Sequence, residues 1–467
     1  MQKTHAYTRK LFRIFMILFF ILGLYIAYIQ VVKSDEFIRN AGNPRNFERI
    51  MHRGRIYARD GSVLAVSKKG AEPADRFYPK KEFSEPVMGY LSLRYGKDSL
   101  EKKLDKYLRA KDLSNDLIGY ILRRQPRGED VYLTIDADIQ LEATKALEGK
   151  KGAIVVMNPQ NGEILALASS PSFKPSDIDS RWKILTSDRE SPFLLRPVNG
   201  SYPPGSVFKI FTLSACLNEG VVDENTAFYC SGDFPMKYPQ GTYHIREAHG
   251  TAHGTVTSVD ALVYSCNVAF AQMGLKLGKE KFIEYAREFG LLEKPDFILS
   301  EVENIIPREE ELTPTQLAQC SFGQGELSLT PLSVALMTSA FANNGKICVP
   351  RIVKSRVDEK GETVYKVEHK VWKTPITANT AHKVRDAMIQ VVERGTARRA
   401  RIEGVKVAGK TGSAENPMGD THAYFTCFAP ADNPKILITV IIENGGYGGK
   451  VSAPIALNIL KKSLGKK

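Results

Sequence analysis

The chain has 467 residues, 43% of them hydrophobic and 25% charged, which excludes wholesale disorder and leaves room for two or three domains. The formal net charge of +13 is a mild basic excess spread along the whole chain. No basic run is interleaved with aromatic residues as a nucleic-acid groove requires, so no nucleic acid is expected as a partner. Attraction to an anionic membrane or wall polymer fits the charge instead.

In chain order, the first signal is Ile14 to Val32 (IFMILFFILGLYIAYIQVV), an uncharged run long enough to cross a bilayer as a helix. Lys3, Arg9, Lys10 and Arg13 precede it and the mixed set Lys33, Asp35 and Glu36 follows. That bias keeps the N-terminus cytoplasmic and sends the remaining chain across. No small-x-small cleavage site follows the run, which reads as an uncleaved anchor and not a signal peptide. Residues 1–13 are then a cytoplasmic tail, 14–32 a transmembrane anchor, 33–130 a polar membrane-proximal pedestal or docking module, and 131–467 the main domain. Within the module, Ser99 to Lys111 is helix-like, with Leu100, Leu104, Tyr107 and Leu108 on one stripe.

From Val131 the pattern changes. DVYLTIDADIQLEATKALEG predicts a short strand and a helix, and GAIVVMNPQNGEILALASSP two strands around an Asn-Pro-Gln-Asn-Gly hairpin. Near the C-terminus, VKVAGKTG, AYFTCFAP and KILITVIIEN are strand-like runs split by turn-rich segments. Strands at both ends with apolar helices between them predict an α/β (α+β) domain, one antiparallel sheet flanked by helices.

Three segments carry chemistry. In SYPPGSVFKIFT (201–212), two prolines and a glycine stop the chain before Ser206, and SVFKIFTLSACLNEG can form an apolar helix closing at Gly220. Ser206 then lies at a helix start, where backbone N–H groups point at negative charge. Lys209 shares its face; burial lowers a lysine's pKa, so a free amine beside a hydroxyl is a general base beside a nucleophile. The spacing alone is weak, because Ser-x-x-Lys also occurs at Ser99–Lys102, Ser180–Lys183 and Ser463–Lys466. Ser265-Cys266-Asn267 interrupts two apolar helical stretches and would project a hydroxyl and an amide from a bend; an ordinary capping bend is the alternative. Lys410-Thr411-Gly412-Ser413 places a cation, hydroxyls and a glycine on a strand that can bind an extended peptide by strand addition, or be merely a solvated strand end.

Six cysteines at 216, 230, 266, 320, 348 and 427 form no C-x-x-C pair and have no histidine at zinc-finger spacing. Most are expected to be small buried hydrophobes, with no disulfide connectivity readable and no metal or cofactor called for.

Taken in this order, Ser-x-x-Lys, Ser-x-Asn and Lys-Thr-Gly resemble the penicillin-recognising serine acyltransferases. RGRIYARDGSVLA (53–65), GAIVVMNPQNGEILALAS and LAQCSFGQGELSLTPLSVALMTSAFANNG (317–345) resemble the class B penicillin-binding proteins in particular, in a short form with a reduced membrane-proximal module. Two positions depart from that family: Ala58 stands where an acidic residue is usual, and Ser413 where threonine is usual. The resemblance implies a penicillin-binding-protein transpeptidase, serine beta-lactamase-like fold. It further implies a D,D-transpeptidase that cross-links peptidoglycan stem peptides through an acyl-enzyme on Ser206 and is inhibited covalently by beta-lactams. In that reading Lys209 takes the proton from Ser206, and the N–H groups of Ser206 and Ser413 hold the oxyanion. Ser265, poised between Lys209 and Lys410, relays a proton to the leaving D-Ala. Asn267 binds the donor peptide, and Lys410, Thr411, Gly412 and Ser413 bind its terminal carboxylate. The implied location is the bacterial cytoplasmic membrane with the catalytic domain outside. The implied partner is a multispanning glycosyltransferase of the shape, elongation, division and sporulation family. Competing readings are a beta-lactamase, a D,D-carboxypeptidase, and a catalytically dispensable beta-lactam-binding scaffold; a sensor is disfavoured by the short segment before the anchor.

Overall fold

A computed structural model describes residues 2–31, 33, 53–67, 76–79, 86–109, 127–238, 241–299, 301–416 and 419–465. Helix α1 (Gln2–Val31) contains one segment, Lys10–Gln30, long and apolar enough to span a membrane. Its 21 residues rise about 32 Å, matching the roughly 30 Å of a hydrocarbon core. The side chains described in it are almost all exposed to the surroundings, as a lipid-facing helix requires.

The membrane-proximal part is built on short strands. β1 (Ile56–Tyr57) pairs antiparallel with β2 (Val63–Ser67) and parallel with β3 (Asp130–Leu133). The expected helix over 99–111 forms as two short helices, Ser99–Lys103 and Asp105–Leu108, with Leu100, Leu104 and Leu108 buried. Residues 110 and 111 lie outside the described set, as does much of the 33–130 module. A buried ion network holds this part together: Arg53 donates to Glu101 at 2.8 Å and to Asp105 at 2.5 Å, while Arg76 donates to Glu101 at 2.6 Å. Ala58 is fully buried, and Arg53 finds its acidic partners on the following helices.

Beyond β3, the Asp136 side chain caps α2 (Ala137–Ala146) by accepting from the N–H groups of Asp138 and Ile139. The predicted hairpin is β4 (Gly152–Met157) and β5 (Ile164–Ser170). A helical region follows: α3 (Lys209–Asn218), the hairpin β6 (Asp233–Tyr238) and β7 (Gly241–Arg246), α4 (Ser258–Tyr264), α5 (Asn267–Leu277) and α6 (Pro331–Ala342). All of α6 is buried, as expected of a helix apolar on every side. β8 (Val353–Val357) and the strand Thr363–Lys366 then return to the membrane-proximal sheet, β8 pairing with β3. Arg356 of β8 pairs with Glu129 at 2.6 Å and stacks on Tyr107.

The chain ends with α7 (Ala378–Glu393), β9 (Ala408–Ala414), β10 (His422–Ala429), β11 (Ile436–Ile442) and α8 (Ser452–Ser463). The central sheet has the order β9-β10-β11-β4-β5 and is antiparallel throughout. It is assembled from both ends of the domain, as the sequence predicts. α2 and α8 pack against it together, and α6 packs on β4, β10 and β11. β9 is left at the edge, beside α7 and the turn that carries Ser206.

Candidate active site

The approach to Ser206 is clamped before the helix begins. Tyr202 exchanges backbone hydrogen bonds with Leu329 at 3.0 and 2.8 Å, and Gly205 N–H donates to Gly323 O at 2.9 Å. The segment 317–345 therefore fixes the prolines and glycine in place. Gly205 has φ +56°, a conformation that favours glycine, and a Cβ there would lie 3.1 Å from Ala414 of β9. Ser206 itself sits in a 3₁₀ turn, Gly205–Phe208, and the α-helix starts at Lys209, three residues later than the sequence suggests. Such 3₁₀ turns are frequent at the N-termini of α-helices.

Lys209 is fully buried. Its Nζ donates to Ser265 O at 2.5 Å, to Asn267 Oδ1 at 2.7 Å and to Ser265 Oγ at 3.2 Å, and forms no hydrogen bond with Ser206. Three acceptors match the three N–H bonds of an ammonium. A neutral amine has only two, so proton loss releases one contact and frees a lone pair. Burial pulls the Lys209 pKa down to about 8, against the opposing pull of Glu247.

The bend between α4 and α5 has the predicted form. Ser265 takes a left-handed conformation, φ 63°, unusual for a residue with a side chain and of the kind that concentrates at functional sites. Its Oγ lies between two buried amines, 3.2 Å from Lys209 Nζ and 2.9 Å from Lys410 Nζ. Asn267 Nδ2 donates to Arg246 O at 2.9 Å, tying the bend to the end of β7.

On β9, Lys410 is fully buried, not solvated, and its pKa is driven well below the ordinary lysine value by burial and then by Lys209. Gly412 lets the strand approach the turn: a Cβ there would lie 3.1 Å from Val207 Cγ1 and 3.2 Å from Pro204 O. Thr411 Oγ1 shares a 2.6 Å hydrogen bond with Thr396 Oγ1, and Ser413 is partly exposed. Ser206, Ser265, Asn267, Thr411, Gly412 and Ser413 all line one cleft of about 920 Å³. Lys209 and Lys410 reach this group from beneath.

Sequence reasoning missed several residues of the cleft. Thr396 and Gln324 lie in loops and Arg398 starts a short 3₁₀ turn, none with a periodic signal. Glu247 is buried behind the bend, where it accepts from Val268 N–H at 2.8 Å and from the Cys266 thiol at 3.1 Å. All six cysteines are buried and free, as expected of small hydrophobes.

Residues 152–461 match the penicillin binding protein transpeptidase domain, and residues 53–131 the penicillin binding protein A dimerisation domain. The chain is 31% identical to the peptidoglycan D,D-transpeptidase PbpA of Mycolicibacterium smegmatis, over 94% of this chain and 95% of that protein. Among solved structures, the D,D-transpeptidase domain of a peptidoglycan glycosyltransferase from Eggerthella lenta aligns with a TM-score of 0.81 and 32% identity, covering 89% of this chain and 99% of that one. The ceftriaxone acyl-enzyme complex of penicillin-binding protein A from Mycobacterium tuberculosis aligns with a TM-score of 0.82 and 31% identity, with the same coverage of both chains. With its edge strand, its bend and its clamped serine arranged on such a fold, this chain belongs to the class B penicillin-binding protein transpeptidases.

Proposed function

We propose that this chain is a peptidoglycan D,D-transpeptidase in which Ser206 is the nucleophile. The observation that carries the assignment is Ser265 Oγ, held 3.2 and 2.9 Å from the amines of two fully buried lysines in the cleft that Ser206 lines. Lys209, once deprotonated, accepts the Ser206 proton as Oγ attacks the penultimate D-Ala carbonyl of a stem peptide. The N–H groups of Ser206 and Ser413 stabilise the oxyanion. Ser265 then passes a proton from the lysine pair to the leaving D-Ala amine. Thr411, Gly412 and Ser413 bind the terminal carboxylate beside the Lys410 amine, and Asn267 orients the donor peptide. An amine of a second stem peptide displaces the acyl group, restoring Ser206 and closing the cross-link. A beta-lactam enters the same sequence through its strained amide and stops at the acyl-enzyme.

The basic residues Lys3, Arg9, Lys10 and Arg13 in the first part of α1 support an N-terminus on the cytoplasmic face of a bacterial membrane, with the catalytic domain outside. Residues 131–467 form the transpeptidase domain and 33–130 the docking module. The partner is a multispanning glycosyltransferase that supplies the glycan; co-purification that depends on residues 14–65 tests this.

Purified full-length protein supplied with a pentapeptide donor and an amine acceptor should release D-Ala and yield cross-linked product. D-Ala release without cross-links would identify a carboxypeptidase. Full support of growth by Ser206→Ala, in cells that need the protein, would identify a scaffold.

A further inference from the structure

The cleft wall nearest Thr411 carries charge that the catalytic group does not use. Thr396, whose Oγ1 shares the 2.6 Å hydrogen bond with Thr411 Oγ1, opens the loop 396–400. Within it Ala397 and Ala400 are fully buried; Ala397 N–H donates to Val391 O of α7 at 3.1 Å, and Ala400 N–H to Ala397 O at 2.9 Å. The two alanines hold the loop down and leave Arg398 and Arg399 exposed along the cleft. A second loop reaches the same place. A Cβ on Gly449 would lie 2.5 Å from Thr396 O and 3.5 Å from Thr411 Cγ2, and its neighbour Lys450, also exposed, lines the cleft too.

These cations differ from the arginines on either side of them. Arg394 pairs with Asp260 at 2.6 Å and Arg401 with Glu393 at 3.7 Å. Among the described residues, no carboxylate lies within ion-pair distance of Arg398, Arg399 or Lys450. The carboxylates that line the cleft are Glu247, buried behind the bend, and Glu415, exposed just past β9. Lys410 is held well below the ordinary lysine range by burial and then by Lys209, so a permanent charge for a bound carboxylate has to come from elsewhere. A guanidinium keeps its charge at every working pH.

We propose that Arg398, Arg399 and Lys450 form a carboxylate subsite for the acceptor stem peptide, selecting an acceptor whose amine and a carboxylate share one carbon. This rests on the proposed function. D-Ala departs from beside Thr411 as an amine with a carboxylate on the same carbon. The acceptor enters by the reverse step: its nitrogen bonds to the acyl carbon as the ester bond to Ser206 Oγ breaks, and one amine proton returns to Oγ. An acceptor amine with its own carboxylate presents that group to the loops that the D-Ala carboxylate has just left, where the arginines can take it with paired N–H donors. A lysine-type side chain brings a cation and no carboxylate, and the three cations repel it. The third residue of the stem peptide is then a diamino diacid and not lysine.

The test uses full-length protein in detergent with a pentapeptide donor, and D-methionine or D-methioninamide as acceptor at equal free-amine concentration. Mass spectrometry resolves the exchanged and hydrolysed products. Wild type should favour D-methionine over the amide by at least about 10-fold. The paired Arg398→Gln, Arg399→Gln variant should cut that preference at least about 5-fold, whereas the paired Arg398→Lys, Arg399→Lys variant keeps the charge and should retain most of it. Between whole stem peptides, wild type should cross-link one with a diamino diacid ahead of one with lysine. No preference in wild type, or a preference that the paired glutamine variant keeps in full, would overturn the subsite while cross-linking stands. Acyl transfer to water alone would overturn the transpeptidase reading. In that case the KM for the free-acid donor against its terminal amide is compared between wild type and the glutamine variant, and an unchanged ratio would overturn the subsite as well.

Discussion

The pH dependence of acylation follows from the environment of Lys209. Burial lowers its pKa to about 8, and only the free amine can accept the Ser206 proton. From that value, about half of the enzyme carries a free amine at pH 8, about a tenth at pH 7 and about a hundredth at pH 6. The second-order rate constant for acylation by a fluorescent penicillin should therefore rise about 50-fold from pH 6 to 8 and only about 2-fold more to pH 9. Stopped-flow fluorescence or quenched gel labelling measures it directly. Lys209→Arg sharpens the test, because a guanidinium keeps its charge throughout this range; its acylation should fall at least about 100-fold at every pH. A profile flat from pH 6 to 9 would refute a base that titrates in this range, and a midpoint at an ordinary lysine value would refute the lowering of the Lys209 pKa by burial.

Other predictions rest on single contacts. Gly412→Val should cost about 1–3 kcal/mol in stability and slow acylation, because its side chain meets Val207 and Pro204 directly behind Ser206; thermal denaturation and labelling read both effects. Thr396→Val removes the 2.6 Å hydrogen bond to Thr411, and the acylation rate constant should fall by the factor of about 2–10 that corresponds to roughly 0.5–1.5 kcal/mol. Glu101→Ala leaves Arg76 and Arg53 without their shared carboxylate and should destabilise the membrane-proximal part by about 3–5 kcal/mol, seen as early unfolding in hydrogen exchange.

Local signals in the sequence are realised where local physics decides the outcome. The Asn-Pro-Gln-Asn-Gly hairpin, the bend at Ser265 and the β9 strand form where expected, because turn residues and apolar alternation determine them within a few residues. The competing Ser-x-x-Lys pairs also resolve locally. Ser180 donates to Asp177 O and Ser463 to Ile459 O, so both hydroxyls are used by their own helices. What sequence patterning could not supply is convergence. Lys209 finds its acceptors more than fifty positions away, at Ser265 and Asn267. Thr396 reaches Thr411 from a loop, and the residues 353–366 cross back to a sheet begun at Ile56.

The central claim is that Ser206 is the residue acylated. Full-length protein incubated with benzylpenicillin and digested should show, by mass spectrometry, a single penicilloyl adduct on the peptide that contains Ser206, and none in Ser206→Ala. An adduct on any other residue, or labelling that persists in Ser206→Ala, would contradict the account.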